Sequence, residues 1–138
     1  MKLVRLLYFS RASREMSLAD LKDILETARS NNASLDICGM LCYDKRYFLQ
    51  ALEGEREAVN ELYLDIADDP RHDEVTIISY SEIEKPIFSE WKMGYSGSSA
   101  QFSRLLEKLG QHEFQPDAMS QKETLVFLHH MSKQQTEV

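Results

Sequence analysis

At residues 36–54 the sequence is DICGMLCYDKRYFLQALEG, in which two apolar runs are separated by a polar link at residues 44–45. Apolar runs of this length, joined by so few polar residues, predict a β-hairpin. The second run contains an anomaly, because Gln50 alternates with Phe48 and Leu52 and therefore shares their face of the strand. The hairpin thus supplies the middle of a sheet and a polar side chain on a face that is otherwise apolar.

Outward from this hairpin, strands and helices alternate. The predicted elements are a strand at 2–9, a helix from Ser17 to Asn31 or Asn32, the hairpin, a helix that ends near Pro70, a strand from Glu74 and a weaker strand at 90–95. Ser17 and Asp20 resemble a capping box at the start of the first helix, and the second helix is marked by Val59, Leu62, Tyr63 and Ile66. The order β-α-β-β-α-β followed by one more strand is typical of the ferredoxin-like split βαβ arrangement, an α+β fold. Both helices would cover one face of the sheet, with the first and third strands side by side at its centre.

The last 40 or so residues differ from this unit. After a serine- and glycine-bearing link near Gly97, one amphipathic helix is stopped by Gly110 and a second follows Pro116, ahead of a polar QQTEV tail that we expect to fray. We therefore expect a domain at 1–97 and a helical appendage at 98–138. The apolar stripes of the two helices need cover, either from the free face of the sheet or from another subunit.

Composition and charge exclude several classes of protein. The chain has 138 residues, 16 Lys plus Arg, 23 Asp plus Glu and a net charge of −7, which argues against general binding of nucleic acid or of an anionic membrane. No segment resembles a signal peptide or a membrane span. Cys38 and Cys42 lie ~13 Å apart along one predicted strand, too far for a disulfide, and two cysteines give no zinc site. Free thiols in the cytoplasm are the natural expectation.

A second polar group accompanies Gln50. In the first strand Tyr8 shares a face with Val4 and Leu6, because strand side chains alternate. If the faces of the two central strands look toward the helices, Tyr8 and Gln50 both enter an apolar interior. A buried amide must find a hydrogen-bond partner, although Gln50 could satisfy a backbone group or point outward.

Two further pairs have a simple and a functional interpretation. Asn31 and Asn32 are most simply a helix stop, but one carboxamide could face a cleft and bind a ligand edge that carries both a donor and an acceptor. Trp91 and Met93 share a face of the weak last strand and are most simply core residues.

Five motifs together resemble one known family. LVRLLYFSR, NNASLDICGMLCY, FLQALEGE, DPRHDEV and W-K-M at Trp91 occur in the order and spacing of the BLUF (blue light using flavin) family. Each motif is weak alone, but the ordered set over residues 1–97 is specific. The chain is therefore identified as similar to the short, stand-alone members of that family.

The resemblance implies a photochemical site with a non-covalent flavin. Tyr8 matches the family's electron and proton donor to the excited flavin. Gln50 matches the glutamine between this tyrosine and the isoalloxazine ring, whose hydrogen bonds change on illumination. Asn32 matches the amide that binds the pyrimidine edge. The other cofactor-binding matches are Ile24, Asn31 and Phe48 around the ring, and Arg71 and His72 near the ribityl and phosphate end.

The resemblance also bears on cofactor choice and output. Ala28 stands where several members carry a hydroxyl, and Asp65 stands where some carry a basic residue near the phosphates. The resemblance implies FAD as the cofactor, and FMN or riboflavin are alternatives because an acidic group near the phosphates would repel a pyrophosphate. Trp91 and Met93 match the pair that passes the change outward, and we expect a homo-oligomer and a separate downstream effector protein.

Two other functions compete with a photoreceptor. A ferredoxin-like sensor could use the same cleft for a small molecule without light chemistry, and a flavin absorption band would distinguish the two. An enzyme would need Cys38, Cys42 or a histidine as its reactive group. No base lies near the cysteines in the sequence pattern and the histidines have no triad or metal spacing, so we expect no catalytic turnover.

Overall fold

The computed structural model describes residues 2–136 and 138. Its elements are β1 (Leu3–Ala12), α1 (Leu18–Leu35), β2 (Cys38–Asp44), β3 (Tyr47–Glu55), α2 (Arg56–Ala67), β4 (His72–Glu82), β5 (Gly94–Gly97), α3 (Ala100–Lys108), a 3-10 turn (Pro116–Ala118) and α4 (Gln121–Met131). The strand order is β4-β1-β3-β2-β5. All neighbours are antiparallel except β2 and β5, which are parallel. The predicted α+β fold with a fifth strand and two C-terminal helices is confirmed.

The first and third strands meet at the centre of the sheet, as predicted. β1 and β3 pair so that Tyr8 lies directly opposite Gln50. On this face α1 and α2 cover one core, which includes Leu6, Leu25 and Leu52. The pairing register therefore places the two polar side chains side by side beneath the helices.

A second core lies on the opposite face of the sheet. There α3 and α4 bury Phe102, Phe127 and Leu128 against strand residues such as Leu49 and Met40. The apolar stripes of the two helices are thus covered by the sheet of the same chain. Because the sheet already covers these stripes, they do not require a second subunit.

Helix α1 is longer than expected. It starts with the predicted capping box, in which the Asp20 backbone N–H donates to Ser17 Oγ at 3.1 Å and Ser17 N–H donates to Asp20 Oδ2 at 2.9 Å. The predicted stop at Asn31 or Asn32 is wrong, because the helix runs to Leu35 and ends at Asp36, which has φ 56°. Asn32 is buried in the helix and its amide binds a distant carbonyl, so it does not compete for the local backbone.

The last strand begins later than expected. The weak strand predicted at 90–95 is found at Gly94–Gly97, so Trp91 and Met93 precede it. The Trp91 backbone N–H donates to the Phe88 carbonyl at 3.0 Å, which makes a turn, and the Trp91 carbonyl accepts from Gly39 N–H at 3.2 Å. The chain therefore reaches the edge of β2 in a turn before regular pairing starts.

Residues 134–136 of the C-terminal tail, which the sequence predicts to fray, lie against β5. The Thr136 backbone N–H donates to the Tyr95 carbonyl at 2.8 Å, and the side chains of Gln135 and Thr136 also bind β5. Glu137 lies outside the described residues. None of the helices in the described part of the chain is long and apolar enough to cross a membrane.

Candidate functional site

An open cleft of about 160 Å³ lies between α1 and α2, above the central strands. Its lining consists of Tyr8, Ile24, Thr27, Ala28, Asn31, Asn32, Leu41, Gln50, Leu62, Asp65, Ile66, Asp69, Arg71 and His72. The lining includes all of the predicted cofactor-binding residues except Phe48, whose ring centroid lies 4.5 Å from that of His72. Residues from five separate segments of the sequence thus meet in one place.

The floor of the cleft is a chain of three hydrogen-bonding side chains. The Tyr8 hydroxyl donates to Gln50 Oε1, and Gln50 Nε2 donates to Met93 Sδ at 3.2 Å. Tyr8 is fully buried and Gln50 is 5% exposed. Gln50 therefore does not point outward, and its amide connects the tyrosine to the segment that precedes β5.

The surroundings keep Tyr8 in its protonated form. Burial raises the pKa of Tyr8 well above its ordinary value, and the neighbouring Tyr63 and Asp69 raise it further. The Tyr63 ring on α2 lies edge-on at 5.6 Å between centroids. At neutral pH the phenol is thus protonated and can donate a hydrogen bond.

Of the two polar atoms of the Asn32 side chain, one has a hydrogen-bond partner and the other has none. Its Nδ2 donates to the Lys92 carbonyl, whereas its Oδ1 is buried and has no hydrogen-bond partner. Since a buried acceptor without a partner costs free energy, this oxygen is suited to a ligand that donates a hydrogen bond from inside the cleft. The neighbouring Asn31 is exposed at the rim.

Carboxylates and one arginine form the outer end of the cleft. Arg71 Nη2 lies 2.8 Å from Asp69 Oδ2, and Arg71 Nη1 lies 3.0 Å from Asp23 Oδ2 on α1. The guanidinium lowers the pKa of Asp69, and Asp69 raises the pKa of Arg71. The arginine charge is therefore shared between two carboxylates, and Asp65 adds a third nearby on α2.

His72 closes the same end as a neutral ring. Its Nδ1 lies 2.6 Å from Ser10 Oγ, and burial lowers its pKa to about 4. The imidazole is thus uncharged at neutral pH and packs against Phe48. The ring offers an aromatic surface and a hydrogen-bonding nitrogen. Because it carries no positive charge, it does not attract a phosphate electrostatically.

The two predicted transmission residues have different environments. Met93 is 2% exposed and contacts Gln50. Trp91 is half-buried beside α4, in a surface hollow that also contains His129 and Lys133. The structure therefore places the methionine at the site and the tryptophan at the surface.

Sequence reasoning missed several residues that shape the site. From the sequence Leu62 and Ile66 mark only a helix, and their i, i+4 spacing is the signal that places them on one side of α2. Glu53 was also missed, although it is 1% exposed. Its carboxylate accepts from the Phe88 backbone N–H at 2.8 Å and pairs with Arg5 at 2.8 Å. It thereby anchors the β4–β5 connection, which carries Met93.

The residues present fit a flavin. Apolar side chains from both helices flank the cleft, Gln50 lies at its floor, and Asn32, whose Oδ1 is a buried acceptor without a partner, also lines it. A planar ring with a polar edge, such as isoalloxazine, satisfies both requirements. In the described part of the chain no group of His, Cys, Asp and Glu residues could hold a metal ion.

Comparison with known proteins agrees with this geometry. The sequence model of the BLUF family, described as sensors of blue-light using FAD, matches residues 3–94. The beta subunit of photoactivated adenylate cyclase from Euglena gracilis is 41% identical over 92 residues, which are 66% of this chain and 11% of that protein. The chain thus spans about a tenth of the length of that curated relative.

Similar solved structures extend over the whole chain. The photo-activated state of BlsA has a TM-score of 0.92 and 33% identity, and the match covers 99% of each chain. The dark-state structure of BlrB, a BLUF protein, has a TM-score of 0.81 and 30% identity, with 96% of this chain and 97% of that chain covered. The likeness therefore includes the C-terminal helices as well as the sheet.

Proposed function

The chain belongs to the BLUF family of flavin-binding blue-light sensors, and from that premise we propose that Tyr8 and Gln50 perform its photochemistry. The observation that carries the proposal is the buried hydrogen bond from the Tyr8 hydroxyl to Gln50 Oε1 at the floor of the cleft. The protein then acts as a photosensor without catalytic turnover of its own.

We assign the binding of the flavin to the two helices and the central strands. Asn32 Oδ1 would accept a hydrogen bond from the pyrimidine edge of the ring, because it is the buried acceptor without a partner. Ile24 and Ile66 would flank the ring from α1 and α2. Phe48 would act indirectly by supporting His72.

A bound flavin supplies, under blue light, an oxidant strong enough to remove an electron from a phenol. Tyr8 would give up that electron to the flavin, and its hydroxyl proton would pass to Gln50 Oε1 because the oxidised phenol is a strong acid. Gln50 would release an Nε2 proton to the flavin in exchange, so that its amide tautomerises or reorients, since a carboxamide has an acceptor on one side and a donor on the other. Tyr8 is restored when the electron and the proton return.

The outer end of the cleft bears on which flavin is bound. Arg71 is already paired with Asp69 and Asp23, and His72 is neutral. A pyrophosphate gains little attraction there, and Asp65 repels it. We therefore propose that FAD is bound without strong preference over FMN or riboflavin.

We propose that output begins where Gln50 contacts Met93. Reorientation of the amide removes the Nε2 donor from Met93 Sδ, and a rearranged buried hydrogen bond is worth about 1 kcal/mol. That is enough to bias a two-state neighbour. Residues 1–97 would then be the sensor and residues 98–138 the part that responds, with a separate effector protein as partner.

Self-association and location complete the proposal. We propose that the chain forms a homo-oligomer whose assembly shifts with light, as its family resemblance implies. The apolar stripes of α3 and α4 are already buried in the same chain, and light scattering in the dark and in the light tests the assembly. We place the protein in the cytoplasm because Cys38 and Cys42 are both free thiols.

The test compares absorption spectra in the dark and after blue light. Wild type should show a flavin band and a small reversible red shift. Tyr8→Phe and Gln50→Leu keep the side-chain volume and should keep the flavin but lose the shift. Tyr63→Phe is the matched control, because it removes a neighbouring phenol that does not bind Gln50. A normal shift in either of the first two variants contradicts the assignment.

A further inference from the structure

Two carbonyl groups directly before β5 are bound by side chains of α1. The Lys92 carbonyl accepts from Asn32 Nδ2, and the Met93 carbonyl accepts from Arg29 Nε at 3.1 Å. Regular pairing with β2 begins one residue later, at Gly94. The two residues that lead into the strand are therefore held by the helix.

Arg29 makes this contact from the rim of α1. Arg29 and Asn32 are three residues apart, and helix positions i and i+3 lie on the same face. Leu25, one turn earlier, is buried in the core, whereas Arg29 is exposed and reaches the Met93 carbonyl with its long side chain. A substitution at Arg29 therefore removes the contact without opening a cavity in the core.

The Arg29 guanidinium is not occupied by an ion pair as Arg71 is. Arg71 divides its charge between Asp69 and Asp23. Within residues 2–136 and 138, no carboxylate forms a salt bridge with Arg29. A hydrogen bond from an ionised donor is about twice as strong as one between neutral groups. The Met93 carbonyl thus receives a strong hydrogen bond for which no carboxylate in these residues competes.

The side chain of Met93 connects this hydrogen bond to the floor of the cleft. Its Sδ accepts from Gln50 Nε2 at 3.2 Å. A thioether is a weak acceptor on a side chain with three rotatable bonds, so this contact depends on a fixed backbone. Arg29 fixes the backbone of the same residue from the opposite side.

We infer that Arg29 is a positioning residue for the photochemistry, because its bond to the Met93 carbonyl keeps Met93 Sδ within reach of the Gln50 amide. This inference rests on the proposed function, which gives the Gln50 amide two states. The dark state is the one in which Nε2 donates to Met93 Sδ. Loss of the hold at Arg29 destabilises that state relative to the illuminated one. The return to the dark state then has a smaller driving force and becomes slower.

The first experiment measures the contact itself, in the full chain in the dark, with flavin and without it. The NMR shift of the Met93 carbonyl carbon, read through the Gly94 amide, reports the hydrogen bond and should move upfield in Arg29→Leu. Arg29→Lys keeps a charged donor on a long side chain and should restore most of the wild-type shift. Lys22→Leu is the matched control, because it removes another exposed cation of α1, and it should leave the carbonyl shift unchanged.

The second experiment follows the decay of the red shift after a pulse of blue light. Arg29→Leu should keep the red shift but recover roughly fivefold more slowly than wild type, as expected for the loss of one hydrogen bond. Arg29→Gln, which is shorter and uncharged, should behave like Arg29→Leu. Arg29→Lys should recover close to the wild-type rate, and Lys22→Leu should match wild type.

Three results would overturn the inference. They are an unmoved Met93 carbonyl shift in Arg29→Leu, an unchanged recovery rate in that variant, and a recovery of Arg29→Lys as slow as that of Arg29→Leu. With a normal red shift in wild type, each of them leaves the proposed function standing. Absence of the red shift in wild type refutes the proposed function, and this inference with it.

Discussion

Substitution of Asn32 tests how the site is prepared for its ligand. The Asn32 side chain makes one hydrogen bond, from Nδ2 to the Lys92 carbonyl, and buries one acceptor without a partner. Asn32→Leu keeps the branched shape and removes both features. Loss of the bond costs about 0.5–1.5 kcal/mol, and removal of the unsatisfied oxygen returns about 1–3 kcal/mol. The flavin-free variant should therefore lie between about 0.5 kcal/mol less stable and about 2.5 kcal/mol more stable than wild type.

The flavin-loaded protein should respond in the opposite direction. The same substitution leaves a ligand donor unpaired, which costs about 1–3 kcal/mol and weakens flavin binding roughly 5- to 150-fold. Urea unfolding of the flavin-free protein and fluorescence titration with flavin measure the two quantities separately. The two measurements are needed because an ordinary destabilising substitution would lower both the free energy of unfolding and the affinity for flavin.

Two further variants control this experiment. Asn32→Asp keeps an oxygen at Oδ1 but directs a carboxylate oxygen at the Lys92 carbonyl, so the flavin-free protein should become less stable than with Leu. Asn31→Leu changes the exposed neighbour and should alter stability by less than about 0.5 kcal/mol. If Asn32→Leu lowers the stability of the flavin-free protein by more than about 2 kcal/mol, Oδ1 is not an unsatisfied group. If flavin affinity is unchanged, Asn32 does not bind the ring edge.

Three other substitutions test the frame around the site. Glu53→Gln leaves the mostly buried Arg5 without its counter-charge and should lower the free energy of unfolding in urea by about 3–5 kcal/mol; a loss below about 1 kcal/mol would contradict the anchoring role. Because burial lowers the pKa of His72 from 6.5 to about 4, the unfolded chain binds a proton that the native protein does not, and stability falls as the pH drops through this range. His72→Gln should remove that part of the pH dependence. If the free energies of unfolding in urea of the two proteins change equally with pH, this role of His72 is refuted. Gly39→Ala would place a Cβ 2.2 Å from the Ala51 carbonyl oxygen and should lower the melting temperature strongly, whereas an unchanged temperature would mean that the strands separate easily.

The sequence by itself determined the elements and the face of each strand. Alternation along a strand is a local property, so it placed Tyr8 and Gln50 on the same side of two strands before their pairing was known. The capping box of Ser17 likewise fixed where α1 begins, because its partners lie three residues apart. The ordered motifs then indicated the family, although they assigned no contacts.

Only the tertiary structure decided the ends of elements that depend on distant partners. Helix α1 passes through Asn32 because that amide binds the Lys92 carbonyl 60 residues away, and no local pattern records this bond. The start of β5, the burial of Glu53 and the binding of residues 134–136 to Tyr95 have the same origin. Each depends on groups far apart in the chain, whose free energy of interaction exists only once the fold has brought them together.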